Sequence, residues 1–153
     1  MIRTMKLFLP VLALALPFLL ARCEEGKDIE QVSANVAVEA FRVAADSFES
    51  FPFTVTDEFR TVTGYEDDVN LSVDFEEGAS QDLECLVLTE DNFYAWEQGL
   101  PCEKVWSHTL FETHNIVQSL QNGSFYLVFS NRACHDSARH VMSNCYLAYW
   151  KFK

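Results

Sequence analysis

The sequence predicts an all-β chain, an antiparallel β-sandwich of about eight strands with one short helix, preceded by a secretory signal peptide. Three observations lead there. The stretch "VNLSVDF" places Leu71, Val73 and Phe75 on one face of a strand and Asn70, Ser72 and Asp74 on the other, which is the pattern of a half-buried antiparallel strand. Short apolar runs of this kind recur along the chain, separated by turn-forming stretches such as "EEGAS" and "QNGS", and no alternating helical layer intervenes. The chain opens on "MIRTMKLFLPVLALALPFLLARC", with Arg3 and Lys6 ahead of an uncharged apolar run from Leu7 to Ala21.

That opening has the plan of a signal peptide covering residues 1–23. It is short for a bilayer span, which takes about 20 apolar residues, and Pro10 and Pro17 lie inside it. Cleavage after Cys23 gives a mature chain that starts at Glu24. Leu20 and Cys23 also stand at the spacing of a lipobox, so lipidation of Cys23 and anchoring as a lipoprotein form an alternative, against which Arg22 argues. No second apolar run of spanning length follows, so no membrane span is expected in the mature chain.

Without residues 1–23, eight basic and 23 acidic residues remain, a net charge of −15. Such a surface repels nucleic acid and anionic membranes, which leaves a protein or glycan as the expected partner. Residues 24–34, "EEGKDIEQVSA", read as a polar leader, and residues 35–153 as the sandwich domain. Its expected strands are "NVAVEAFRV", "FPFTVTDEF", "VNLSVDF", "DLECLVL", "VWSHTLF", "NIVQSL", "SFYLVF" and "CYLAYWKF". Leu71, Val73, Phe75, Val87, Leu127 and Phe129 are expected in the core. In "TEDNFYAWEQGLP", Thr89 can cap a helix, Glu90 and Asp91 suit its positive end, and Gly99 and Pro101 can stop it. Phe93, Trp96 and Leu100 stand at helical spacing and are expected to pack that helix on the sandwich.

Four cysteines in a secreted domain, Cys85, Cys102, Cys134 and Cys145, imply two disulfides with three possible pairings. The sequence neighbours are the expected partners, Cys85 with Cys102 and Cys134 with Cys145, each bond worth about 3 kcal/mol in the chain-entropy model. The polar insert between Cys134 and Cys145 carries His135, Asp136 and His140. Two histidines five apart fit neither the spacing of four of a helical metal pair nor the even spacing of a strand pair. The insert is therefore expected to be a tied loop.

No nucleophile elbow, zinc-protease motif, phosphate loop or dinucleotide fingerprint occurs in the chain. His108 and His114 stand near Ser107 and Glu112, but nearness in sequence is not the geometry of a catalytic triad. Asp67, Asp68, Glu76 and Glu77 gather oxygen ligands without the spacing of a calcium loop. No catalytic residue, metal or cofactor is expected. "NLS" at Asn70 and "NGS" at Asn122 are sequons for N-glycosylation.

"DLECLVLTEDNFYAWEQG", "GSFYLVFSN" and "CYLAYWKF" together resemble secreted β-sandwich domains similar to the Golgi-dynamics (GOLD) domain, over the C-terminal half of the chain. The resemblance implies a jelly-roll or GOLD-like sandwich and brings no catalytic residues with it. The expected function is non-enzymatic binding, adhesion or a structural role outside the cell, ranked ahead of a secreted hydrolase using His108 or His135, with Phe93, Tyr94 and Trp96 as the candidate contact surface and the loop from His135 to Asn144 as a second.

Overall fold

The computed structural model describes residues 28–62, 69–77, 83–110, 116–133 and 135–153. The strands are β1 (Ile29–Val43), β2 (Phe48–Val55), β3 (Asn70–Val73), β4 (Phe75–Glu77), β5 (Leu83–Thr89), β6 (Trp106–Leu110), β7 (Ile116–Ser119), β8 (Gly123–Ser130) and β9 (Arg139–Phe152). Helix α1 (Glu90–Glu97) lies between β5 and β6, and a short 3-10 turn spans Asp57–Phe59.

One sheet runs β1-β9-β3-β7, with β4 also on β9, and the other runs β2-β8-β5-β6. Every strand pairing is antiparallel. Ser72 opposes Tyr146 and Phe75 opposes Ser143 in one continuous register, and the Asn144 amide donates to the Asp74 carbonyl at 2.8 Å. β3 and β4 thus act as one strand interrupted at Asp74, and each sheet is four strands wide.

Alternation along the strands makes the core. Leu71, Val73, Val87, Leu127 and Phe129 are all fully buried, as their spacing predicts, and they form one cluster with Ala37, Val43, Val55, Val141 and Leu147. That cluster draws on both sheets, so the two face each other as in a β-sandwich. Phe41 of β1 reaches across, its ring 5.1 Å from both Phe51 and Phe129 of the opposite sheet. The side chain of Phe75 lies outside the described residues.

Helix α1 seals the outer face of the second sheet. Thr89 caps it, accepting from the Asn92 amide at 3.4 Å, and Gly99 ends it in the left-handed region at φ 74°, where a side chain would be strained. Phe93 packs with Leu86, Leu88 and Val128, and its ring lies 3.9 Å from that of Tyr126, nearly parallel. β5 is therefore buried on both faces, which accounts for its nearly unbroken apolar run.

Two boundaries differ from expectation. β1 starts at Ile29, inside the supposed leader, because the partly buried Val32 and Ala34 pair with Tyr149 and Leu147 of β9. β9 starts at Arg139, so the supposed loop up to Cys145 is half strand: the inward Val141 alternates with the exposed Met142. Only the stretch before Arg139 connects β8 to β9 outside regular structure. Leu100 is also misplaced by helical spacing, since it falls beyond the cap and is 55 % exposed.

Residues 1–23, expected as a signal peptide, with Cys23, and Asp67, Asp68, Glu112, His114 and Cys134, lie outside the described residues. Among the described residues no helix is long and apolar enough to cross a membrane.

Candidate functional site

The outer face of the first sheet differs from that of the second. Two rows of side chains cross it in register, Ser33, Ala148, Asn70 and Ser119 in one, and Asn35, Tyr146, Ser72 and Val117 in the next. A groove of about 360 Å³ lies over these rows, lined by Gln31, Val32, Ser33, Asn70, Ser72, Val117, Tyr146 and Ala148. Four strands at the usual spacing make it roughly 14 Å across. Its volume falls within the range of small-molecule sites.

Alternation puts these residues there. On β3 the apolar Leu71 and Val73 turn inward, so Asn70 and Ser72 turn outward, and Ser72, at 5 % exposure, forms the floor. On β9, Cys145 and Leu147 turn inward while Tyr146 and Ala148 face out. Val117, on edge strand β7, is 63 % exposed at the rim. Amides, hydroxyls and one phenol thus line a surface able both to donate and to accept hydrogen bonds, beside an aromatic ring.

The described lining is uncharged. The chain carries 23 acidic and 11 basic residues, yet among the described residues no charged side chain lines the groove. Sequence reasoning missed this site because its residues come from four separate strands; the outward positions of "VNLSVDF" were legible, but their neighbours across the sheet were not.

The aromatic surface expected at α1 is largely interior. Phe93 is buried, and Trp96 packs edge-on against Phe48 at 5.1 Å with the Arg132 guanidinium 4.0 Å above its ring. Only Tyr94 stands out, and its hydroxyl meets that of Tyr126 at 3.4 Å. That hydrogen bond, with burial, pushes the Tyr126 phenol up to about 12.

The expected bond between Cys85 and Cys102 is absent: Cys85, Cys102 and Cys145 are free thiols. Cys85 faces the core between the sheets, whereas Cys102 packs against the α1 cluster on the far side of the second sheet. One sheet separates them. Cys145 also turns into the core, in the middle of β9, and does not stand at a loop end as the expected bond to Cys134 required.

The histidines are dispersed. His135 pairs through Nδ1 with the carboxylate of Asp46, joining the β8–β9 and β1–β2 connections that pass from sheet to sheet; Asp136 is exposed beside it, and His140 lies exposed on β9 opposite Arg42. His108 is on β6, across from Cys85 in register. No group of three metal-ligating side chains occurs among the described residues.

The two sequons differ in setting. Asn70 lines the groove. Asn122 is held by the turn at Asp57–Phe59 and the arginine after it: its carbonyl accepts from Arg60 Nε at 2.8 Å and its amide donates to Asp57 at 2.5 Å.

No protein-family model matches the chain, and comparison with curated proteins finds no match.

Proposed function

We propose that the chain is a secreted, non-enzymatic binding domain whose ligand is a neutral saccharide held in the groove on the outer face of the first sheet. The observation that carries this reading is that no charged side chain among the described residues lines the groove in so acidic a chain. A polyhydroxylated neutral ligand needs donors and acceptors in mixture and an aromatic face, which Gln31, Ser33, Asn70, Ser72 and Tyr146 supply. A charged ligand would be left without a counter-ion among those residues.

The fold reading goes further under the same proposal. With β3 and β4 counted as one strand, the first sheet has the order 1-8-3-6 and the second 2-7-4-5. That order supports an eight-stranded jelly roll, an architecture that lectins share. The strand, capped helix and left-handed glycine from Leu83 to Gly99 support the GOLD-like resemblance. Secretion through residues 1–23 completes the reading, with a lipid anchor on Cys23 as the alternative. The scattered histidines favour binding over hydrolysis.

Asn70 gives a second reading. A glycan attached there would cover the groove itself, so binding is measured on protein made without N-glycosylation and checked by intact mass. Calorimetry against neutral and sulfated oligosaccharides tests the proposal. Binding of a neutral member is expected, with Tyr146→Ala weakening it about tenfold, or ~1.4 kcal/mol, at unchanged melting temperature. A preference for sulfated ligands, or a variant that binds as well as the original, contradicts it.

A further inference from the structure

Alternation decides which face of a sheet each cysteine occupies. On β5, Leu83, Cys85 and Val87 belong to the core between the sheets, while Leu86 and Leu88 lie under α1. On β9, Val141, Cys145 and Leu147 belong to that same core. Both strands are interior to their sheets, and both cysteines are 0 % exposed. Cys102 is separated from them by the second sheet.

We infer that Cys85 and Cys145 are bonding partners, and that in an oxidising environment they close an inter-sheet disulfide in place of the two bonds between sequence neighbours. Immunoglobulin sandwiches accommodate a bond of this kind between facing sheets. Facing sheets stand about 10 Å apart, and a disulfide holds its Cα atoms at roughly 4.4–6.8 Å, so closure draws β5 and β9 together locally. Cys145 already bears on the Cys85 thiol. Burial chiefly, and then the nearness of Cys145, raises the Cys85 thiol well above its ordinary range, and burial pushes Cys145 up to about 11.

The oxidant is a small-molecule disulfide such as oxidised glutathione. The thiolate of one cysteine attacks its S–S bond and releases one reduced glutathione, leaving a mixed disulfide. The second cysteine, as thiolate, attacks the protein sulfur of that mixed bond and releases the other glutathione. Two protons and two electrons leave the protein thiols, and both electrons reduce the glutathione disulfide. The thiolate is the nucleophile and burial disfavours it, so exchange belongs to the chain before its sheets close. Once the core has formed, it shields the bond from reductant.

The full chain, refolded from the reduced and denatured state in a glutathione buffer, is alkylated and then digested without reduction. The expected product is a peptide joining Cys85 to Cys145. In the folded protein that bond should be reduced by dithiothreitol at least 100-fold more slowly than in denaturant. Peptides joining Cys85 to Cys102 or Cys134 to Cys145 would overturn the inference, and so would alkylation of both Cys85 and Cys145. Equal reduction rates in the two states would overturn the shielded, inter-sheet placement.

Discussion

Cys145 shows how one buried side chain makes stability depend on pH. Burial is the main cause that moves its thiol from the ordinary 9.0 to about 11, so the folded state favours the neutral form. The unfolded chain ionises first. For the reduced protein, the stabilisation is therefore complete below about pH 9 and is lost as pH rises through 11, a fall on the order of 2 kcal/mol. Cys85 shifts in the same direction. Urea unfolding of the reduced protein between pH 8 and 11 should show this loss, and Cys145→Ala should lessen it, leaving the part that Cys85 contributes. A bonded pair has no thiol to ionise, so the oxidised protein should lack the same contribution. The position of these cysteines was partly legible: "LECLVL" puts Cys85 in step with Leu83 and Val87, and "NCYLAY" puts Cys145 in step with Leu147. The pairing of Cys85 with Cys102 failed because it ignored which face of the sheet each residue occupies.

Among the elements, α1 and the strands of steady alternation were the most legible. Thr89, Glu90, Asp91 and Gly99 state the helix ends in local chemistry, and the helix forms where they say. β1 and β9 extend beyond their expected starts because they pair with each other across the sheet, as Val32 does with Tyr149 and Arg42 with His140. Pairing partners far apart in sequence leave no local signal. The same holds for Arg132, which ties α1 to the end of β8. Its guanidinium donates to the carbonyls of Trp96 and Glu97 at 3.1 and 3.2 Å, satisfying the helix C-terminus, and lies over the rings of Trp96 and Phe48. Bonds from a charged donor and stacking on an aromatic face each contribute about 1–2 kcal/mol. Arg132→Ala should cost about 2 kcal/mol in chemical denaturation, and Arg132→Lys, which keeps the charge without the planar fork, should recover less than half.

At the scale of the whole molecule, the two sheets bury one face each against the other and differ in how they treat the second face. The outer face of the β2-β8-β5-β6 sheet lies under α1, with Phe93, Trp96 and Phe48 closing it. Across the other sheet runs a groove built from four strands, its described lining uncharged. Composition gave the acidic surface and alternation gave the sheets, but the groove arises only when Ser33, Ala148, Asn70 and Ser119 come into one row. Amide and methyl chemical shifts during titration of the unglycosylated protein with a neutral oligosaccharide test its role most directly. The expected result is saturable shifts at Ser33, Asn70, Ser72, Val117, Tyr146 and Ala148, with α1 and the connection around His135 unmoved. Shifts confined to Tyr94 and its neighbours, or to residues 135–138, with the groove silent, would contradict the assignment.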